Sequence, residues 1–312
     1  MLSSKHSPDL AAAVSEFQRQ LSTPQTAVLP SKEQLSHARS QLLSSLPEQG
    51  LSLPQTLQHL SRDIAPALNA SSQSANYYGF VTGGATPAAA FADNMVTTYD
   101  QNVQVHLPDQ TVATDVEDKA LRLLAELLRL NPDVFPHRTF TTGATASNIM
   151  GLALGREYVL QMAAKKHNRT IKLASVGELG LVEAMKQAGV QKIKILTSAP
   201  HSSLSKAASV VGLGTSSVHV VGREHAPHKL NLARVREELE EPGVVGIVAV
   251  SMAEVNTGFF ATSGFDLRAL RETCDEYDAW IHVDAGKTSF VRYFLGFTNK
   301  RSFRCPGESP RR

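Results

Sequence analysis

Between residues 171 and 284 the chain alternates short apolar runs with amphipathic segments, and this alternation limits the possible folds more than any other feature. Val244-Val245-Gly246-Ile247-Val248-Ala249-Val250 is apolar throughout. Such a strand is buried on both faces, as happens in a parallel sheet covered by helices. Further strands are expected at 171–176, 192–197, 218–221 and 279–284, with helices at 178–188, 232–239 and 266–277 between them. In such sheets ligands gather at the carboxyl ends of the strands.

The last of these runs, Trp280-Ile281-His282-Val283-Asp284-Ala285, ends in a carboxylate. Side chains alternate along a strand, so His282 and Asp284 share one face while Ile281 and Val283 pack on the other. An ionised Asp at the end of a hydrophobic strand needs a partner. It can cap the strand-to-loop turn, or it can pair with a protonated ring nitrogen of a bound cofactor.

A second candidate lies upstream. Thr141-Thr142-Gly143-Ala144-Thr145-Ala146-Ser147-Asn148 feeds a long helix expected at about 146–165. A small-residue turn at a helix N-terminus leaves backbone N–H groups for an anion, with Thr hydroxyls beside them. The same turn can be an N-cap and nothing more. It has neither the three-glycine dinucleotide spacing nor the Lys-Ser/Thr of a P-loop, which disfavours an ordinary nucleotide-binding domain. His201 stands at another strand-to-helix junction. The turn at 141–148, His201, the stretch 253–258 and Asp284 all follow expected strands, so they can meet at one rim.

The first part of the chain is different. Helices are expected at 8–22, at 31–45 behind Ser31-Lys32-Glu33, around 51–60, and from Pro87 with proline in the first turn. Another is expected from Thr114 to Leu130, with Leu121, Leu124 and Leu128 on one face and Asn131-Pro132 as its stop. Tyr77-Tyr78-Gly79-Phe80-Val81-Thr82-Gly83-Gly84 is a glycine-rich loop whose aromatics either line a pocket or simply pack. The front helices form either an arm against a second subunit or a lobe of the same one.

With 42% apolar and 19% charged residues in 312, the chain can bury a sizeable core. A net charge of +2 points to no nucleic acid or membrane partner. No apolar run is long enough to span a bilayer, and the N-terminus lacks the apolar core of a signal peptide. Cys274 and Cys305 make neither a disulfide framework nor a metal site, so a reducing, cytoplasmic setting is expected. From Gly286 onward there are seven Lys/Arg against one acid, a balance of +6 that leaves residues 1–285 at −4. That shift marks 286–312 as a separate segment. The expected organisation is a helical segment at 1–75, a large domain at 76–285 and a basic tail at 286–312.

In order, Thr142-Gly143-Ala144-Thr145-Ala146-Ser147-Asn148, Pro200-His201-Ser202-Ser203-Leu204-Ser205-Lys206-Ala207, Glu254-Val255-Asn256-Thr257-Gly258 and His282-Val283-Asp284-Ala285 resemble the motifs of the pyridoxal-phosphate-dependent group II amino acid decarboxylases. The resemblance runs from about Tyr77 to Ala285. It implies a fold-type-I large domain, mainly parallel sheet with helices on both faces, preceded by a helical N-terminal segment. It implies pyridoxal 5′-phosphate as cofactor, an amino acid as substrate and a homodimer. Carried over by position, Gly143, Ala144 and Thr145 hold the phosphate and His201 stacks on the ring. Asp284 keeps the ring nitrogen protonated. Asn256 or Thr257 contacts the ring oxygen, and the loop at 80–84 lines the substrate side.

The resemblance also implies a Schiff-base lysine after a histidine, some thirty residues beyond the aspartate. The chain ends 28 residues after Asp284 with no His-Lys pair. Gly286-Lys287-Thr288 departs from the family's small, aromatic-rich continuation, and neither Lys287 nor Lys300 has the family context. The expectation is a form truncated near Ala285, without the last strands and the small C-terminal domain. Alternatives are another enzyme of this fold, such as an aminotransferase, a cysteine desulfurase-like protein or an aldolase, and a non-catalytic cofactor-binding fragment.

Overall fold

The computed structural model describes residues 27–81, 84–101, 103–167, 173–254 and 257–286, together with positions 12, 15, 16 and 19. The chain divides into two compact units, Met1–His106 and Leu107–Arg312.

The second unit holds the sheet. Strands β1 (Lys192–Thr197), β2 (Val218–Val220), β5 (Val244–Ser251) and β6 (Trp280–Asp284) pair in the order β2-β1-β5-β6, every pairing parallel. Between β2 and β5, the short β3 (Gly222–Arg223) and β4 (Ala226–Leu230) form an antiparallel pair that the sequence pattern did not reveal. Alternation along the strands produces two cores. Ile193, Ile195, Ile247 and Ala249 face a core with Leu152, Val159 and Leu160 of the long helix Ala144–His167 and with Leu204 and Ala207 of the helix Ser202–Val210. Their neighbours Leu196, Val248 and Val250 face a core with Val235 and Leu239 of the helix Leu232–Glu240 and with Leu267 and Leu270 of the helix Gly264–Glu276. Helices thus cover both faces. Each fully buried aliphatic side chain contributes about 1.5–3 kcal/mol.

The long helix reaches β6 through two glycines one turn apart. A Cβ on Gly151 would lie 2.4 Å from the His282 ring, and one on Gly155 would lie 2.7 Å from Trp280. Only residues without side chains allow this approach, and it brings the helix's first turns down onto the end of β6.

Several expected elements differ. The helix expected at 31–45 ends at Gln41, and the turn at 141–148 follows irregular chain at 135–141 rather than a strand. Of the strand expected at 171–176, residues 171 and 172 lie outside the described residues, and 173–175 are not strand. Leu173 is buried, and its carbonyl accepts a bond from Gln161 Nε2 at 2.7 Å. Ser175 then caps the helix Val176–Leu179 in a capping box with Glu178. Gly180, at φ 74°, separates that helix from Leu181–Gln187, so the helix expected at 178–188 is two. The helix expected at 114–130 runs Ala113–Leu127 and buries Leu121 and Ala125, while Leu124 stays exposed. Arg129, at φ 56°, turns the chain before Asn131-Pro132 is reached.

In the first unit, Ser31 caps the helix Lys32–Gln41 through a capping box with Gln34. The helix Leu53–Gln58 runs on into a π-helical turn, His59–Ile64. Thr86 caps the helix Pro87–Tyr99, whose proline occupies the first turn. The helix expected at 8–22 falls mostly outside the described residues. Among the described residues no helix is long and apolar enough to cross a membrane.

Candidate active site

The site is built on the carboxyl ends of the parallel strands, as the topology demands. β6 ends at Asp284, which is half-buried. One of its oxygens, Oδ2, accepts a bond from Asn148 Nδ2 at 3.1 Å. The other, Oδ1, accepts a 3.4 Å bond from the Gly286 N–H. Gly286 also abuts the long helix's first residue, since a Cβ there would lie 3.3 Å from that of Ala144. Asp284 therefore sits beside the start of that helix.

In that first turn Ser147 N–H to Gly143 O, 3.2 Å, is the first helical bond, so the N–H groups of Ala144, Thr145 and Ala146 precede the helical ladder. Thr141 Oγ1 donates to Gly143 O at 3.1 Å and lies 2.7 Å from Ser147 Oγ, which braces the turn. Gly143, Ala144 and Thr145 are exposed, and nothing lies within 4 Å of a Cβ placed on Gly143.

His201, also exposed, is the N-cap of the helix Ser202–Val210. Its Nδ1 accepts from the Ser203 N–H at 3.2 Å and lies 2.8 Å from Ser203 Oγ. The buried Ser203 hydroxyl in turn meets Asn148 Nδ2 at 3.1 Å. His282 completes the cluster, with its Nε2 2.7 Å from Asn148 Oδ1. Burial pushes the His282 pKa down from its ordinary value, and the Asp284 charge opposes that only in part. Asn148, Ser203 and His282 thus join Asp284 to His201, although sequence reasoning assigned none of the three a role. The available signal was a polar Asn148 on the face of the helix that also carries Leu152, Gly155 and Val159.

The other expected residues are placed differently. Asn256, Thr82 and Gly83 lie outside the described residues, as do Lys287 and Lys300. The hydroxyl of Thr257 donates to Glu254 Oε2 at 3.1 Å and accepts from the Phe259 N–H at 3.2 Å, which closes its own loop. That loop is tied to β6 by the Met252 N–H, which donates to Asp284 O at 2.9 Å. In the first unit, Phe80 is exposed at φ 56°, and the Tyr77 ring lies against Gly79, within 2.8 Å of a Cβ placed there. Among the described residues no group of three or more His, Cys, Asp and Glu side chains is arranged to hold a metal.

Residues 36–291 match the family model of the pyridoxal-dependent decarboxylase conserved domain. The chain belongs to the pyridoxal-dependent decarboxylase family. The pyridoxal phosphate expected from the sequence is the cofactor of that family. Two curated members are similar over part of their length. L-2,4-diaminobutyrate decarboxylase of Acinetobacter baumannii is 31% identical over 150 residues, 47% of this chain and 28% of the relative. Tyrosine decarboxylase 2 of Arabidopsis thaliana is 27% identical over 297 residues, 90% of this chain and 50% of the relative. The chain thus spans half or less of these curated relatives. Among solved structures, it resembles the glutamate decarboxylase domain of diaminobutyrate-pyruvate transaminase and L-2,4-diaminobutyrate decarboxylase from Vibrio parahaemolyticus. The TM-score is 0.68 at 20% identity, over 92% of this chain and 60% of that one. That likeness concerns the fold, the α/β fold-type-I architecture with its parallel sheet.

Proposed function

We propose that this chain forms the cofactor-binding rim of a pyridoxal-phosphate-dependent amino acid decarboxylase. The observation that carries the proposal is the hydrogen-bonded run from Asp284 through Asn148 and Ser203 to His201, beside the exposed turn at Gly143. The donor set suits the cofactor. A helix start with N–H groups ahead of its ladder suits a phosphate dianion, and a carboxylate suits a protonated pyridine nitrogen. An exposed imidazole suits the face of a flat ring.

In this reading Gly143, Ala144 and Thr145 bind the phosphate, His201 lies against the ring, and Asp284 holds the proton on the ring nitrogen. Thr257 or Asn256 meets the ring oxygen. Bound pyridoxal phosphate supplies a sink for the electron pair released as carbon dioxide leaves. The protein's own part is to bind, to orient and to keep that proton in place. The buried Asn148 holds Asp284 from its inner side.

Homodimerisation and a cytoplasmic setting belong to the same proposal. The helix Pro87–Tyr99 exposes Phe91, Met95, Val96 and Tyr99, an apolar face of the kind a partner subunit covers. We also propose that neither Lys287 nor Lys300 forms the internal Schiff base, because neither follows a histidine.

The test is borohydride reduction of the chain after incubation with pyridoxal phosphate, with any pyridoxyl-lysine mapped by mass spectrometry. A second sample, left unreduced, is incubated with tyrosine, glutamate and 2,4-diaminobutyrate and assayed for carbon dioxide, amine and keto acid. The reading predicts saturable cofactor binding without a stoichiometric adduct on Lys287 or Lys300. A stoichiometric adduct on either would overturn the Schiff-base part, and a keto acid product would overturn the decarboxylase part.

A further inference from the structure

The bonds around Asn148 admit one arrangement of protons. The Ser203 N–H can only donate, and it meets His201 Nδ1 at 3.2 Å. Nδ1 is therefore an acceptor, and the neutral ring carries its proton on Nε2. With no proton to give, Nδ1 receives the Ser203 hydroxyl proton across 2.8 Å. Having spent its single proton, Ser203 Oγ accepts, so the Asn148 group 3.1 Å away is the amide nitrogen. The second N–H of that nitrogen meets Asp284 Oδ2 at 3.1 Å. The amide oxygen is thereby turned to His282, whose Nε2, 2.7 Å away, must bear the proton. Amide and imidazole orientations are ordinarily choices made from partners. Here each follows from the one before, beginning at a backbone N–H. Asn148, Ser203 and His282 are 2%, 4% and 9% exposed, so water has little access to the middle of the run.

We propose that Asn148 is a positioning residue: it turns the backbone geometry at His201 into a permanent N–H donor for Oδ2 of Asp284, fixes that carboxylate's rotamer, and leaves Oδ1, which the Gly286 N–H meets only at 3.4 Å, with a lone pair to face a ligand's heteroaromatic N–H. Only the last clause rests on the cofactor reading above. Neither histidine could be exchanged for the other tautomer without reversing a bond elsewhere in the run. Asp284 thus meets its ligand with Oδ2 held by Asn148 and Oδ1 bonded only by the long Gly286 contact, and its orientation need not be ordered at the moment of binding.

The test uses the full chain labelled with ¹⁵N-histidine, whose ring nitrogens report the tautomer in long-range proton–nitrogen spectra, alongside absorbance titration with pyridoxal 5′-phosphate. In the wild type, His201 and His282 are each expected as the single Nε2–H tautomer. Asn148→Leu keeps the volume and removes the polar atoms. It is expected to give His282 mixed tautomers and to weaken pyridoxal phosphate about tenfold or more, the scale of a lost bond to a charged group. Asn148→Asp keeps an acceptor for His282 but offers Asp284 no donor. It is expected to lose as much affinity while His282 becomes doubly protonated beside the new carboxylate. If Asn148→Leu fails to fold, this isosteric variant carries both readouts.

A wild-type His282 with its proton on Nδ1, or a folded variant that binds as tightly as the wild type, would overturn the proposal. If the wild type binds no pyridoxal phosphate, the cofactor reading fails. The tautomers then decide on Asn148 alone: a His282 spectrum unchanged by Asn148→Leu sinks it, and mixing supports it.

Discussion

Two polar clusters are buried against the same sheet, one on each face. On the face toward the helix Leu232–Glu240, Lys194 of β1 is 2% exposed; its Nζ lies 2.7 Å from Glu238 and 2.5 Å from Glu241. His219 of β2 adds a 3.2 Å contact to Glu238. On the other face, at the strand ends, Asn148 gathers His282, Ser203 and Asp284. The first cluster closes on itself, with an ammonium neutralised by carboxylates. The second is a run of neutral groups that leads out to an exposed histidine and a half-buried carboxylate. Both meet the demand that buried polar groups be paired. The first ends in pairs that hold β1, β2 and a helix together. The second ends in an exposed histidine and a half-buried carboxylate, the groups that meet the ligand in the proposed function.

The largest difference between the clusters is expected at Lys194. Glu238→Ala combined with Glu241→Ala removes both carboxylates its ammonium meets, at 2.7 and 2.5 Å, and is expected to cost about 3 kcal/mol in urea unfolding. Lys194→Met combined with Glu238→Leu, which replaces the buried pair by apolar groups, is expected to be far closer to neutral. Equal small losses in both would mean that the ammonium is not buried.

The next effect is at Gly151. Ala there gains about 1 kcal/mol of helix propensity but places a Cβ 2.4 Å from the His282 ring. Overpacking of that kind costs about 1–3 kcal/mol, so net destabilisation is expected. Gly143→Ala, facing open space, is expected to leave the unfolding midpoint within about 0.5 kcal/mol of wild type.

Acid separates the clusters more gently. The His282 pKa is pushed below 6.5 in the folded chain, so its contribution is complete above that value and is lost as the pH falls through the depressed folded value. For Glu238, burial is the largest influence and opposes ionisation, but the Lys194 bond together with the charges of Lys194, His219 and Arg234 holds the carboxyl below 4.5. Its contribution is likewise lost only as the pH falls below that value. Stability measured against pH is expected to decline in two windows, with the loss just below pH 6.5 absent in His282→Gln. A single window unaffected by that substitution would contradict the assignment.

Much of this was legible in the sequence, and the gaps have physical causes. The apolar run of β5 and the shared face of His282 and Asp284 follow from strand alternation, which is local. The strand expected at 171–176 fails over its described residues because Ser175 and Glu178 make a capping box, a local signal that outranks a few apolar residues. Asn148 had no readable role because its partners are 55, 134 and 136 residues away. A polar residue on a packed helix face signals that a partner exists, not which one.

The most direct test of the central claim is a pyridoxal 5′-phosphate titration of the wild-type chain, Asp284→Asn and the off-site control Asp278→Asn. Saturable binding is expected of wild type and control, and at least about tenfold weaker binding of Asp284→Asn, the loss of one charged hydrogen bond. Equal binding by all three would show that Asp284 does not hold the cofactor, and the site proposed at the strand ends would be wrong.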